Sequence, residues 1–390
     1  MSFSAIQVFY QNSIILTSVR GKKFENLLLF SLKLTMKTKW KIKDISIATF
    51  FLTLVFFWTG CALSPAKSES QFVMGTVCSI NLFHQGKPEL YSQVFARLRE
   101  LEGILSANLD GSDLDRINKS AGLKPEKVRP ELIEVLGIAL TYAEKSGGFF
   151  DPTVGPLVKL WGIGSDDEHI PGKEEIQKAL DLINYREIEI DEKEGTVFLQ
   201  RQGMALDLGA IAKGYAADEA ARLLANEGVE RAIIDLGGNI FAMGERKRSF
   251  AFNRASEEEA YWRIGVQDPR EDRGLYIGIL RVKNKSVVTS GSYERFFEED
   301  GKRYHHIFSV ESGFPVENDL LSVTITAEKS IDADALSTAA FALGWEGGRR
   351  LIAETSGAKG IFVFNDLSVR ITGDLEKDFT LSAAEYTIRK

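Results

Sequence analysis

The stretch LDLGAIAKGYAADEA, residues 206–220, places a glycine-containing turn directly before a helix. Its glycines match neither G-x-x-x-x-G-K-[ST] nor G-x-G-x-x-G, so it is not one of the common phosphate-binding loops. A glycine before a helix still lets backbone N–H groups approach an anion, and Lys213 would add a point charge. From these residues alone, an anion site and a plain strand-to-helix turn both stay open.

On both sides of that turn, helical and extended patterns follow one another irregularly. Apolar residues recur at helical spacing over 88–106, 129–148, 174–183, 214–229, 332–343 and 345–356. Short β-rich runs between turn residues occupy 72–83, 187–209, 231–244, 261–268, 275–282, 285–293, 303–310, 320–330, 359–365 and 368–373. Because helices and hairpins are mixed without a regular βαβ alternation, we predict an α+β fold with mixed, largely antiparallel sheets.

Charge is unevenly distributed along the 390 residues. Residues 1–60 hold eight Lys or Arg and two Asp or Glu, whereas the net charge of the whole chain is −7. The remainder is therefore strongly acidic. Such a body is a poor binder of nucleic acid, because phosphate contact needs a basic face.

The basic N-terminal segment is organised like a secretory signal. After Met36 come four Lys within eight residues, then an apolar run over 45–58, then Thr-Gly-Cys ending at Cys61. The run is too short to span a membrane comfortably, and small residues precede the cleavage point. Cys61 resembles a lipobox cysteine, although Trp58 stands where Leu is usual. An uncleaved anchor is the alternative.

These features predict four regions. Residues 1–35 are an N-terminal extension upstream of the true start, and 36–61 are a signal peptide with lipobox. Residues 62–71 are a polar tether, and 72–390 form one domain, since no strong linker divides them. If Cys61 carries a lipid, Cys78 has no disulfide partner. A lone Cys in an apolar, strand-like run is typical of a small core residue, with a nucleophile as the alternative.

A carboxylate and a hydroxyl share one face of the helix predicted over 332–343. Asp334 and Thr338 are four residues apart, so their side chains lie one above the other. Together they supply two oxygen ligands of the kind that Mg²⁺ takes alongside water and phosphate oxygens. Spacing alone leaves open the alternative of an N-terminal helix acid beside a core-facing Thr.

Two further stretches carry candidate site residues. His305 and His306 are adjacent on a predicted strand, where neighbours point to opposite faces, so at most one enters a site as a base. Phe149, Phe150 and Trp161 lie among Gly and Pro in a predicted rigid loop over 147–164. Such a loop suits a planar ligand, but these residues alone favour ordinary loop packing.

Eight segments together resemble the ApbE-like FAD:protein FMN transferase family in both order and spacing. They are MGT (74–76), SDLDRIN (112–118), FDPTVGPLVKLWG (150–162), LDLGAIAKGYAAD (206–218), IDLGGN (234–239), VVTSGSYERFF (287–297), HHI (305–307) with SGFPV (312–316), and ADALSTAAFALG (333–344). The resemblance implies the ApbE-type α+β fold with a central cleft for FAD and Mg²⁺. It also implies that the FAD pyrophosphate is split, that FMN moves to a Thr or Ser hydroxyl of a target protein, and that AMP leaves.

The resemblance also implies residue roles. Asp334 and Thr338 match the family's Mg²⁺ side-chain ligands, and the backbone oxygen of Ala210 matches a third ligand. His306 matches the histidine that acts near the acceptor hydroxyl. The positions that match FAD contacts are Met74, Asn108, Phe149, Phe150, Asp151, Asp207, Lys213 and Ile307. The implied acceptors are exported flavoproteins such as redox-complex subunits. The implied location is a lipid-anchored, exported protein at the periplasmic face of the inner membrane.

Two departures from the family pattern bear on this prediction. Ser309 and Val310 replace the usual Asp-Pro after HHI, which puts the shape of that loop in question. Asn108 stands where many members carry an aromatic residue that covers the flavin. Loss of that cover would admit water to the pyrophosphate. Two alternatives to transfer therefore stay open: a Mg²⁺-dependent FAD pyrophosphatase giving FMN and AMP, and a non-catalytic flavin-binding lipoprotein.

Overall fold

Strands and helices are mixed along the chain in the computed structural model, which describes residues 67–84, 86–246 and 260–389. The helices of this part are α1 Pro88–Leu105, α2 Asp113–Lys119, α3 Pro130–Lys145, α4 Gly155–Trp161, α5 Lys173–Leu180, α6 Ala212–Asn226 and α7 Ser330–Ala353. The strands are β1 Lys67–Val73, β2 Thr76–Leu82, β3 Glu126–Lys127, β4 Ile188–Asp191, β5 Thr196–Leu199, β6 Ala232–Leu236, β7 Asn239–Met243, β8 Trp262–Gln267, β9 Tyr276–Val282, β10 Lys285–Gly291, β11 Phe296–Glu299, β12 Lys302–His305, β13 Leu320–Ala327, β14 Lys359–Phe364, β15 Ser368–Ile371, β16 Phe379–Leu381 and β17 Thr387–Ile388.

A nine-stranded sheet organises the fold, in the order β1-β2-β6-β7-β10-β13-β14-β15-β17. Its neighbours pair antiparallel except β15 with β17. Smaller sheets are β16-β9-β8, β3-β5-β4 and the β11-β12 hairpin. The predicted α+β class with largely antiparallel sheets is confirmed.

Helices α1, α6 and α7 pack on the large sheet. Helix α1 is amphipathic and buries Leu90, Val94, Leu98 and Leu101, all at helical spacing. Burying each such side chain contributes about 1.5–3 kcal/mol relative to leaving it in water. This shared apolar layer holds the sheet and helices together, so that groups at the strand ends and helix N-termini meet in fixed positions.

Helices α6 and α7 each supply a carboxylate that accepts hydrogen bonds at the N-terminus of the other helix. Asp218 of α6 accepts from the N–H groups of Ser330 and Ile331 at 2.7 and 2.9 Å. In return, Asp334 of α7 accepts from the Gly214 N–H at 2.8 Å. Each helix therefore caps donors of the other that lack an intrahelical partner, and each carboxylate lies at the positive end of a helix dipole.

Glycine is required at position 214 for this crossing. A Cβ there would lie 2.5 Å from the Ser330 carbonyl oxygen and 2.8 Å from the Asp334 Cβ. These are contacts that real Cβ atoms do not make, and one partner is rigid backbone. Gly214 therefore sets how closely α6 and α7 approach.

Four predictions about local structure are wrong. Residues 67–71, predicted as tether, belong to β1. The single strand predicted over 72–83 is a hairpin with a two-residue turn at Met74 and Gly75. The predicted loop 147–164 contains α4, which Pro156 starts as a first-turn residue. The stretch 200–209, predicted as part of a β-meander, is irregular.

Cys78 is fully buried on β2, and burial raises the pKa of its thiol to about 12. The thiol is thus protonated at neutral pH, which agrees with a small core residue and not with a nucleophile. The predicted extension, signal peptide and Cys61 lie outside the described residues. Among the described helices, none is both long and apolar enough to cross a membrane.

Replacing Gly214 with Ala is expected to destabilise the protein by about 1–3 kcal/mol, because the added methyl forces α6 and α7 apart. Denaturant unfolding monitored by circular dichroism measures this. Gly137→Ala is the matched control, since its Cβ would meet nothing within 4 Å on the exposed face of α3. The control is expected to stabilise by about 0.5–1 kcal/mol. Equal stability of Gly214→Ala and the native chain would contradict the close crossing.

Candidate functional site

The Ala210 carbonyl lies at the α6–α7 crossing, just before α6. In an uninterrupted helix its donor would be the Gly214 N–H, four residues on. That N–H instead donates to Asp334 Oδ2. Among the described residues, no backbone N–H donates to the Ala210 oxygen. Within that part of the chain, the lone pairs of the Ala210 oxygen are therefore left for another partner.

Asp334 and Thr338 lie on one face of α7, as predicted. Asp334 is only 4% exposed, and burial raises the pKa of its carboxyl, whereas the nearby Lys213 ammonium and the Gly214 N–H lower it. Thr338 Oγ1 lies 3.2 Å from Ser290 Oγ, at the end of β10. Asp334 and Thr338 are thus one helical turn apart on α7, and Asp334 is bonded to α6 at Gly214, four residues after Ala210.

This donor set fits a hard divalent cation. It consists of oxygen atoms alone, and it includes one buried carboxyl group that bonds to no cationic side chain. Within the described ranges, no three His, Cys, Asp or Glu side chains cluster as metal ligands. A cation at this location would accordingly rest on one carboxylate, neutral protein oxygens and further oxygens from water or substrate.

Lys213 projects from the first turn of α6. Its Nζ donates to the Gly209 carbonyl at 3.0 Å, and the Asp207 Oδ1 accepts from the Gly209 N–H at 2.8 Å. The two predicted nucleotide contacts therefore brace the same turn. The Lys213 charge also lowers the pKa of His306, so its electrostatic influence reaches both Asp334 and His306.

Two neighbouring segments hold the 205–209 strip in place. The Asn118 amide pairs with both backbone groups of Leu206, at 2.7 Å to its N–H and 3.0 Å to its carbonyl. The Asp207 N–H donates to the Pro152 carbonyl at 2.9 Å. Three of the segments that carry the family resemblance, which lie far apart in sequence, are thus joined side by side.

Asp151 organises its own loop. Its Oδ1 accepts from the Thr153 N–H and hydroxyl at 2.8 and 2.6 Å, and its Oδ2 accepts from the Tyr185 N–H at 3.0 Å. Phe150 is buried and packs edge-on against Tyr142, while Phe149 is half-buried. Of these three predicted contacts, Phe149 and Asp151 are thus half-buried, and only Phe150 is buried.

The β1–β2 turn lies at the same sheet end as the β6–β7 turn. Met74 adopts φ 55° and Gly75 φ 69°, as a two-residue type I′ hairpin requires. A left-handed Met is uncommon and costs about 1–2 kcal/mol. A Cβ on Gly237 would lie 2.2 Å from Thr76 Oγ1, so the two turns are in close contact. Asn108 lies on the exposed turn that follows α1.

His306 follows β12 and faces away from its neighbour. Its Nδ1 lies 3.2 Å from the Arg295 carbonyl, which only accepts, so Nδ1 carries the proton and Nε2 keeps its lone pair. Burial lowers the pKa of His306 to about 3, with further lowering by the Arg295 charge. His305 is buried, and its Nε2 lies 3.0 Å from the Val316 carbonyl. Only His306 is therefore available as a base.

The loop after the histidines keeps its turn despite lacking Asp-Pro. Ser309 Oγ accepts from the N–H groups of Glu311 and Ser312 at 3.3 Å each, as an Asp side chain would. The Ser309 carbonyl accepts from the Gly313 N–H at 2.8 Å. Buried Ile307 is anchored through its carbonyl, which accepts from the Val316 N–H at 2.9 Å. Hydrogen bonds of this loop itself thus form a turn at Ser309 and Val310.

An aromatic cluster fixes that loop from behind. Trp161 Nε1 donates to the Gly313 carbonyl at 2.9 Å. Its ring lies 5.7 Å from Tyr304, 5.9 Å from Phe308 and 5.4 Å from Phe314, measured between centroids. Trp161, predicted to line a ligand pocket or pack in a loop, is fully buried and does the latter.

Four residues with clear roles were given none from sequence: Asn118, Gly214, Asp218 and Ser290. All four lie inside segments that carry the family resemblance. Their partners are more than forty residues away in sequence, as the Ser290–Thr338 and Asp218–Ser330 contacts show. Local patterns do not reveal such contacts.

Comparison with known proteins gives a consistent answer. A family model described as the ApbE family matches residues 74–362. The FAD:protein FMN transferase of Treponema pallidum (strain Nichols) is 39% identical over 332 residues, covering 83% of this chain and 91% of the relative. The FAD:protein FMN transferase of Klebsiella pneumoniae (strain 342) is 36% identical over 321 residues, covering 82% of this chain and 96% of the relative.

Solved structures agree with that result. The ApbE protein from Thermotoga maritima superposes with a TM-score of 0.71 at 31% identity, over 80% of this chain and 99% of its own. The flavin transferase ApbE from Vibrio cholerae superposes with a TM-score of 0.66 at 26% identity, over 83% of this chain and 99% of its own. The fold thus extends over nearly the whole of each solved chain.

His306 is expected to stay neutral down to about pH 4, because its pKa of about 3 lies far below the ordinary 6.5. Nuclear magnetic resonance titration of its ring protons checks this directly. The unfolded chain binds the proton first as pH falls, so this residue should cost stability between about pH 6.5 and 3. His306→Asn should remove that part of the pH dependence. Titration near pH 6.5 would contradict the desolvated environment.

Proposed function

The chain belongs to the ApbE family, and we propose that it transfers FMN from FAD to a Thr or Ser hydroxyl of a target protein, releasing AMP. The observation that carries this proposal is the oxygen set at the α6–α7 crossing, formed by Ala210, Asp334 and Thr338. Such a set suits a cation that faces a pyrophosphate. FAD is accordingly the substrate.

We propose Mg²⁺ as the cation held by the Ala210 oxygen, Asp334 and Thr338. When bound, Mg²⁺ neutralises charge on the pyrophosphate and on the leaving phosphate. The protein buries Asp334, which raises the pKa of its carboxyl, and partly offsets that effect with nearby groups. The Gly214 N–H and the Lys213 charge both favour the ionised form.

His306 is proposed to accept the proton of the acceptor hydroxyl. The hydroxyl oxygen forms a bond to the phosphorus of the FMN half, the bond from that phosphorus to the bridging oxygen breaks, and AMP departs with that oxygen. The Arg295 carbonyl holds the Nδ1 proton and leaves Nε2 open. Burial keeps the imidazole neutral at physiological pH, as a base must be.

The remaining FAD contacts are proposed for the segments joined around the 205–209 strip and the adjacent hairpin. Lys213 supplies positive charge, and Asp207 shapes the turn that presents it. The full proposed set is Met74, Asn108, Phe149, Phe150, Asp151, Asp207, Lys213 and Ile307. Asp151 acts through its loop, since both its oxygens already accept hydrogen bonds from this chain.

Hydrolysis of FAD to FMN and AMP is a second candidate function. Its support is Asn108, which lies exposed on the turn after α1 in place of an aromatic cover. Water then competes with the acceptor hydroxyl at the same phosphorus. Both activities use Asp334, Thr338 and Ala210, so they differ only in the group that attacks.

We further propose an exported protein anchored through a lipid on Cys61, at the periplasmic face of the inner membrane. Support comes from the sequence of residues 36–61 alone. The partner proposed with it is an exported flavoprotein, such as a subunit of a membrane redox complex. An acidic body argues against nucleic acid as a partner.

The full-length protein incubated with FAD, Mg²⁺ and an acceptor domain that carries a target Thr is expected to label that domain covalently. Flavin fluorescence on the acceptor band in a denaturing gel measures transfer, and chromatography measures AMP. Free FMN and AMP without a labelled acceptor would exclude transfer and leave hydrolysis. Absence of turnover would leave only binding.

Asp334→Ala is expected to abolish transfer and its Mg²⁺ dependence together, with a loss of at least about 100-fold, since the only carboxylate of the set is removed. Initial rates across a Mg²⁺ series measure this. Asp332→Ala is the matched control on the same helix, because Asp332 bonds to the Tyr142 hydroxyl instead of the oxygen set. Activity retained in Asp334→Ala would show that the metal site is elsewhere.

A further inference from the structure

A chain of three hydroxyls links the end of β10 to the ligand face of α7. Thr338 Oγ1 lies 3.2 Å from Ser290 Oγ, and Ser290 Oγ lies 2.8 Å from Ser337 Oγ. Ser337 Oγ donates to the Asp334 carbonyl at 2.9 Å. We propose that Ser290 is a positioning residue that sets the direction of the Thr338 hydroxyl and so prepares its oxygen to bind the cation.

Counting protons gives this chain of hydroxyls one direction. A hydroxyl has a single hydrogen to donate, and a carbonyl can only accept. The Ser337 hydrogen is committed to the Asp334 carbonyl, so Ser290 must donate to Ser337. The Ser290 hydrogen is then committed as well. The bond between Thr338 and Ser290 is satisfied only if Thr338 donates.

This direction matters for metal binding. A hard cation binds an oxygen lone pair, and a hydroxyl whose hydrogen points toward the cation is repelled. Because the Thr338 hydrogen points to Ser290, both lone pairs of Thr338 are left for other partners. Helical Thr residues often donate to the carbonyl four residues back. That carbonyl, of Asp334, already accepts from Ser337.

The sheet fixes Ser290 in place. Ser290 pairs with Val323 of β13 in the antiparallel register, and β10 packs against α7. Ser337 has no exposed surface, and its hydroxyl is satisfied on both sides by Ser290 and Asp334. Rigid, desolvated hydroxyls hold their directions better than solvated ones, which exchange partners with water.

This inference rests on the metal set of the proposed function but is tested without turnover. Calorimetric titration of the full-length protein with Mg²⁺ alone, in the absence of FAD, measures the dissociation constant. Ser290→Ala removes the acceptor for the Thr338 hydrogen and is expected to weaken Mg²⁺ binding about 10–100-fold. Ser290→Thr keeps the hydroxyl and is expected to restore binding to within about threefold of the native value.

A neighbouring hydroxyl pair provides the matched control. Thr289 Oγ1 lies 2.8 Å from Thr324 Oγ1 on β10 and β13, and this pair is not part of the chain of three hydroxyls. Thr289→Val breaks that pair and is expected to leave Mg²⁺ affinity unchanged. A merely structural role of β10 hydroxyls would make Thr289→Val and Ser290→Ala behave alike, and would overturn the inference.

A second variant guards against misfolding of Ser290→Ala, which circular dichroism would reveal. Ser337→Ala frees the Ser290 hydrogen to turn toward Thr338, so Mg²⁺ binding should weaken here too. Native affinity in Ser290→Ala and Ser337→Ala would overturn the inference and leave the proposed function intact. Failure of the native protein to bind Mg²⁺ would overturn the inference and the metal assignment together. If Mg²⁺ binding depends on Ser290 but the acceptor is not labelled, the inference is supported and only the proposed transfer is contradicted.

Discussion

The mutual capping of α6 and α7 by the carboxylates Asp218 and Asp334 is the interaction on which the proposed site depends. Asp218 satisfies donors at the start of α7, and Asp334 satisfies the Gly214 donor near the start of α6. The crossing is possible only because residue 214 has no side chain. Among the described residues, no backbone N–H donates to the carbonyl of Ala210, four residues before Gly214, and this carbonyl is proposed as a third ligand with Asp334 and Thr338.

Burial and the charge of Lys213 both shift the pKa values of Asp334 and His306. Burial raises the pKa of Asp334 and lowers the pKa of His306, because desolvation penalises whichever form is charged. Lys213 acts on both, and its positive charge favours an ionised Asp334 and a neutral His306. These are the protonation states that cation binding and proton abstraction need. One lysine thus supports both halves of the proposed chemistry.

Much of the fold was predictable from sequence, because helices α1, α3, α6 and α7 have clear apolar periodicity. The hairpin at Met74 and Gly75 is hard to predict because Gly75 is its only turn residue of the usual kind, and Met seldom adopts the left-handed conformation. Helix α4 departs from the predicted loop because Pro, typical of loops, is also favoured in the first helical turn.

The site was less predictable than the fold. Spacing alone suggested Asp334 with Thr338, but the Ala210 ligand came only from family resemblance, since a backbone carbonyl has no signature in sequence. Asn118 and Ser290 act through partners far along the chain, on Leu206 and Thr338. Their roles follow from strand register and helix crossing, which only the folded chain brings together.

We propose that the α6–α7 crossing builds the cation site. Crystals grown with Mn²⁺ in place of Mg²⁺, with data collected for the anomalous signal of manganese, test it most directly. One anomalous peak is expected, in contact with the Ala210 carbonyl oxygen, an Asp334 carboxylate oxygen and Thr338 Oγ1. A peak on other carboxylates, such as Asp151 or Asp207, with none at the crossing, would contradict it.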